Sequence, residues 1–224
     1  MSKFSLLEDW NFISLKEVEI TIPPMRWKRQ WGINMVNAKI MYNALVLLKP
    51  SVIIETGTFE GHGCAVMAQA LASVGKECTI HTIDYDGDPL TIESESEWKK
   101  LRSIREENLD LLCNRYPNVH IQFHDGDSRQ VLPKLVSDGV KWDFFFQDSM
   151  HFYEGIKSEW DILKNAANEG AVAVFDDISL SPKIFSQNGR LFCEKFIKSH
   201  DVTCWDYVST TIGHHQFWVQ KKEA

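Results

Sequence analysis

The chain has 224 residues, 44% of them hydrophobic, and a formal net charge of −7. That length supports one domain with a full core, and the acidic balance argues against a general affinity for nucleic acid or an acidic membrane surface. No apolar run approaches the roughly 20 residues that span a bilayer, and the N-terminal stretch has acidic residues where a signal peptide needs a clean apolar segment, so a cytoplasmic protein is expected.

An N-terminal arm or lid covers 1–34, and a first helix is predicted near 35–48. Within the arm, PPMRWKRQWG (23–32) interleaves basic and aromatic residues. In so acidic a chain it reads as a docked arm or part of a substrate lid rather than a nucleic-acid contact. Short runs rich in Val, Ile and Phe then alternate with segments of helical spacing. Strands are predicted at 51–56, 78–84, 119–124, 142–147 and 171–176, and helices at 61–74, 96–115, 128–137, 153–168 and 183–199. The alternation implies βαβ units and a mostly parallel sheet, and the near-continuous apolar strands imply cover on both faces. Two last extended runs, 201–209 and 214–220, lie close enough for a hairpin. The predicted fold is therefore α/β: a Rossmann-like, doubly wound, mostly parallel seven-stranded sheet with an antiparallel C-terminal hairpin, in one domain over 1–224 whose core is 35–224.

Trp160 shares a helical stripe with Ile156 and Leu163 and reads as core. Lys99, Lys100, Arg102 and Arg105 alternate with acids and read as a solvated helix face. Of His214 and His215, alternation lets at most one face a pocket. The five cysteines form no C-x-x-C pair, so neither a disulfide framework nor a zinc site is suggested.

Ligands of an open α/β sheet bind beyond the carboxyl ends of its strands. The first strand runs into ETGTFEGHG (55–63), a glycine turn that lets a ligand approach the backbone. Its spacing is not G-x-G-x-x-G, and Glu55 would repel a pyrophosphate, which disfavours a nicotinamide dinucleotide. A carboxylate there suits an ammonium or sulfonium ligand, although a tight turn without a ligand also accounts for the loop. The second strand ends at Asp84, where an acidic residue bonds ribose hydroxyls in nucleoside-binding sheets. After the third, Asp127 and Ser128 suit either an adenine edge or a helix N-cap.

The fourth strand, in FFFQDSMHFYEG (144–155), passes from three aromatics into Asp148, Ser149 and His151, and the next ends AVAVFDDI with Asp176 and Asp177. Neighbouring parallel strands bring their tips together, so Asp148, Asp176 and Asp177 could converge. Unaided, three such carboxylates repel and raise one another's pKa. A hard divalent cation, magnesium or manganese, removes that conflict. Helix caps and an ordinary polar loop remain open for each residue taken singly.

With VIIETGTFEGHG, IDYD, DGDSRQVLPKL, WDFFFQDSMHFYEG and EGAVAVFDDI in this order, the chain resembles the class I S-adenosylmethionine (SAM)-dependent methyltransferases from about Lys39 to Ile178. More narrowly, it resembles the metal-dependent O-methyltransferases typified by catechol O-methyltransferase and the macrolide-sugar enzymes. The resemblance implies that Glu55, Gly57, Thr58, Phe59, Gly61 and Gly63 line the methionine half of SAM. Asp84 would hold the ribose, Tyr85 would pack beside the adenine, and Asp127 and Ser128 would flank its exposed edge. It implies Asp148, Asp176 and Asp177 as ligands to magnesium or manganese, and His151 as the catalytic base for a hydroxyl of a small vicinal diol. Catechol O-methyltransferase has lysine at the position of His151 and asparagine at that of Asp177. Both departures move toward the sugar-modifying relatives and away from a catechol substrate. By the same analogy a homodimer is expected. Cephalosporin-hydroxylase-like proteins share the scaffold, which keeps a metal enzyme of other chemistry, or a non-catalytic cofactor-binding module, as alternatives.

Overall fold

A computed structural model describes residues 5–9, 17–20, 33–85, 95–178, 187–209 and 215–222. Helix α1 (Met35–Leu48) leads into β1 (Val52–Thr56), α2 (His62–Ser73), β2 (Cys78–Asp84), α3 (Glu95–Arg115), β3 (Val119–Asp125) and α4 (Ser128–Ser137). Then follow β4 (Trp142–Gln147), α5 (Tyr153–Leu163), β5 (Ala167–Phe175), α6 (Gln187–Phe196), β6 (Trp205–Ser209) and β7 (Phe217–Lys221). The seven strands form one sheet in the order β3-β2-β1-β4-β5-β7-β6. The first five are parallel, and β7 pairs antiparallel with both β5 and β6. The expected doubly wound sheet with an antiparallel C-terminal hairpin is the one observed.

The run of three phenylalanines shows why the core strands read as continuously apolar. Phe144, Phe145 and Phe146 are all fully buried. Phe144 and Phe146 face the core built with α1 and α2, while Phe145 faces the opposite one, with Trp142, Trp160 and Phe175. Covered on both sides, β4 has no face to give to water. Trp160 lies in the core as expected, packed edge-on against Phe175, Phe196 and Trp205.

Some boundaries differ from the sequence reading. The helix predicted over 153–168 stops at Leu163, whose carbonyl oxygen accepts from Trp142 Nε1 at 2.9 Å. Strand β5 begins at Ala167, four residues early, because Ala167 pairs with Trp142 and Asn168 donates to Asp143. The polar sequence ANEG hides this start. At the other end, 201–209 splits into a 3-10 turn over His200–Thr203 and the short β6. The 23–32 segment and His214 lie outside the described residues. Among the described residues no helix is long and apolar enough to cross a membrane.

Candidate functional site

The strand order reverses between β1 and β4, the place in a doubly wound sheet where a crevice opens beyond the strand ends. Backbone bonds there draw the tips into one row. Gly57 N–H donates to Ile83 O, Asp148 N–H to Thr56 O, and Asp176 N–H to Gln147 O, each at 2.9 Å. The approach is close: a Cβ at Gly57, whose φ is +93°, would lie 2.2 Å from the Asp148 carbonyl oxygen. Only glycine fits there.

Glu55 is 1% exposed. Its Oε2 accepts from Cys64 Sγ at 2.9 Å and from the Thr82 hydroxyl at 2.5 Å. Since Thr82 has spent its one proton on Glu55, the 2.5 Å contact between Thr58 and Thr82 is a donation by Thr58. Among the described residues Glu55 Oε1 has no hydrogen-bond partner, and it lies 2.0 Å from where a side chain at Gly63 would begin. Burial pushes the Glu55 carboxyl up from 4.5 to about 7, against the bonds from Cys64 and Thr82. The native state therefore holds a proton that the unfolded chain releases near 4.5. Stability from this group is full below 4.5 and is lost as pH rises toward about 7, by about 3 kcal/mol at roughly 1.4 kcal/mol per pH unit. Urea unfolding between pH 5 and 8 should show this slope in the wild type and a flatter one in Glu55→Gln.

Asp84 sits at the tip of β2. It accepts from Phe59 N–H at 2.5 Å and from Tyr85 N–H at 2.8 Å. Phe59 is held at φ +47°, a costly conformation for a bulky residue. Behind Asp84, Arg105 is fully buried, 3.6 Å from Asp84 Oδ2 and 4.2 Å above the Phe123 ring. Arg105 is thus not part of a solvated face: Lys99, Lys100 and Arg102 are exposed, but three residues beyond Arg102 the side chain turns inward. Tyr85 is 52% exposed at the mouth.

Asp127 is the N-cap of α4, accepting from Arg129 N–H at 2.9 Å, and it pairs with the Arg129 guanidinium, which holds its carboxyl below the ordinary range. The Ser128 hydroxyl turns inward, to Glu159. Neither Asp148 nor Ser149 caps α5, whose N-cap is Phe152 without a side-chain bond. Ser149 also donates to Glu159, at 2.9 Å, as does Thr56 at 3.1 Å. One buried carboxylate on α5 thus gathers hydroxyls from the end of β1, the loop after β4 and the start of α4. Burial pushes the Glu159 carboxyl up, and Ser128, Ser149 and Thr56 pull against it. Its position on the buried stripe of Ile156, Trp160 and Leu163 was the available signal. Glu159→Ala strands three donors, each worth about 1–3 kcal/mol when buried and unpaired. Urea denaturation should show a loss of about 3 kcal/mol or more.

Asp148 and Asp176 lie on adjacent strand tips, with Asp177 next in the turn at φ +53°. Asp148 is pushed well above the carboxylate range, first by burial and then by Asp176 and Asp177; its side chain keeps 26% of its exposure. Asp176 is 3% exposed, and its Oδ1 accepts from Asn37 at 3.0 Å and Gln216 at 2.8 Å. Sequence reasoning missed both amides, since they come from α1 and from the entry to β7. Among the described residues no three His, Cys, Asp or Glu side chains are closed into a metal cage. The all-oxygen donor set and the mutual repulsion at Asp148 nonetheless fit a hard divalent cation. His151 lies just before α5. Its Nδ1 is 3.2 Å from the Asp176 carbonyl oxygen and its Nε2 is 3.9 Å from Asp148 Oδ1. A carbonyl can only accept, so Nδ1 is the donor in this contact and Nε2 is the ring nitrogen turned toward Asp148.

A family model described as a methyltransferase domain matches residues 54–178, more than half of the chain. No curated protein matches. Solved structures share the fold. The O-methyltransferase TomG from Streptomyces achromogenes, in complex with SAM, is 19% identical, with a TM-score of 0.62 over 86% of this chain and 82% of that one. An O-methyltransferase from Bacillus cereus in complex with SAH is 14% identical, with a TM-score of 0.62 over 90% and 84%. SAH-bound PaMTH1 from Podospora anserina is 14% identical, with a TM-score of 0.59 over 97% and 88%.

Proposed function

The chain belongs to the methyltransferase-domain family, and we propose that it is a SAM-dependent O-methyltransferase, assisted by magnesium or manganese, acting on a hydroxyl of a small vicinal diol. The observation that carries the reading is the His151 geometry. Its Nδ1 is anchored on the Asp176 backbone, and its Nε2 lies 3.9 Å from the Asp148 carboxylate at the strand-order reversal.

In this reading Glu55, Gly57, Thr58, Phe59, Gly61 and Gly63 line the methionine half of SAM. The unpaired buried Oε1 of Glu55 supports a donor or cationic group nearby. Asp84, fixed from behind by Arg105, takes the ribose hydroxyls. Tyr85 packs on the adenine, and Asp127 and Ser128 border its edge. SAM, when bound, supplies an electrophilic methyl group on its sulfonium. Asp148, Asp176 and Asp177 would hold the cation, whose charge would make a nearby substrate hydroxyl more acidic. His151 Nε2 takes the hydroxyl proton, and Asp176 O holds the ring in the tautomer that can do so. The fixed strand tips align acceptor and donor, from which much of the rate gain follows. We read the enzyme as cytoplasmic, homodimeric, and acting on small molecules rather than nucleic acid.

The test is methyl transfer from SAM to a panel of catechols and sugar diols, read by mass spectrometry, with EDTA and with magnesium or manganese restored. Methylation that EDTA abolishes and either cation restores supports the reading. Methylation indifferent to EDTA removes the cation. Cation binding with no methyl transfer to any diol favours the hydroxylase-like alternative.

A further inference from the structure

We infer that Asn37 and Gln216 are positioning residues that fix the orientation of the Asp176 carboxylate toward the cation site. The inference rests on the divalent-cation reading above. At 3% exposure the Asp176 carboxylate has little water to bond, so its orientation is set by protein donors. Two neutral amides aim at the same oxygen, Asn37 Nδ2 at 3.0 Å and Gln216 Nε2 at 2.8 Å from Oδ1. Fixing Oδ1 from two directions fixes the plane of the carboxylate and so the direction of Oδ2.

The identity of the Gln216 atom facing Asp176 follows from its other end. Trp218 Nε1–H can only donate, and it lies 3.0 Å from Gln216 Oε1. The –NH2 group is therefore the end turned to Asp176. Asn37, Gln216 and Trp218 are all fully buried, so water does not compete for these bonds. Mere packing would not require two amide N–H groups on one carboxylate oxygen. Asn37 precedes the 54–178 segment shared with the family and Gln216 follows it. The acid is thus held from both flanks of the common core.

The test uses the full chain with Asn37→Leu or Gln216→Met, which remove the donor at nearly constant volume. Each protein is titrated calorimetrically with Mn2+ alone and, separately, with SAM. Mn2+ affinity should fall about tenfold or more in each variant, as when partners of a metal ligand are removed, while SAM affinity stays within about twofold. Unchanged Mn2+ affinity in a folded variant overturns the inference. So does a parallel loss of Mn2+ and SAM affinity, which marks general loosening. A wild-type protein that binds no Mn2+ removes the cation reading and this inference together. Wild-type binding with unaffected variants removes the inference alone. The two substitutions lie on different elements, so either one decides if the other does not fold.

Discussion

Asp148→Ala should lower methyl transfer by roughly a thousandfold or more, while the protein folds at least as well as the wild type. The first half follows from the place of Asp148 at the strand-order reversal, between the glycine loop over 57–63 and the Asp176–Asp177 turn. A cation that polarises a hydroxyl supplies several kcal/mol of charge stabilisation, and each roughly 1.4 kcal/mol is tenfold in rate. The second half follows from what surrounds Asp148. Burial and two neighbouring carboxylates oppose its charge, and the bond that ties it into the sheet is made by its backbone N–H, which alanine keeps. Steady-state kinetics and thermal melting of the same preparation check the pair of effects. Near-normal turnover would remove the cation mechanism. A collapse of the fold would mean that Asp148 is structural.

His151→Ala should lower kcat by about 10²- to 10⁴-fold, the usual range for a positioned base, with SAM affinity little changed. The ring is 34% exposed and contacts the Asp176 carbonyl oxygen and the Asp148 side chain, not the glycine loop over 57–63. Its loss should therefore fall on the chemical step. His151→Asn, which can still donate to the Asp176 carbonyl but has no basic nitrogen, should be equally slow. Recovery of activity in His151→Asn would show that the residue only props the turn. A pure loss of SAM affinity in either variant would place it in the cofactor site.

The sheet was legible because buried parallel strands are written as unbroken apolar runs, and CTIHTID and WDFFFQ match their strands residue for residue. The start of β5 was not, because ANEG gains its strand geometry from Trp142 and Asp143 across the sheet, a pairing absent from local pattern. The acids at the strand tips were visible because a carboxylate after an apolar run is out of place. The groups that hold them were not. Asn37 and Gln216 reach Asp176 across 139 and 40 positions of chain, and each stands in a segment whose local pattern is ordinary. Arg105 reversed its expected role for the same reason: Asp84 and Phe123 meet it only in the folded chain.

The most direct test is calorimetric titration of the purified protein with SAM, with and without magnesium, and with NAD as the control ligand. A Kd on the order of micromolar for SAM, and no heat with NAD, is the predicted result. Absence of SAM binding in both conditions would contradict it, and would leave the buried Glu55 and the carboxylates at Asp148 and Asp176 in need of a different ligand.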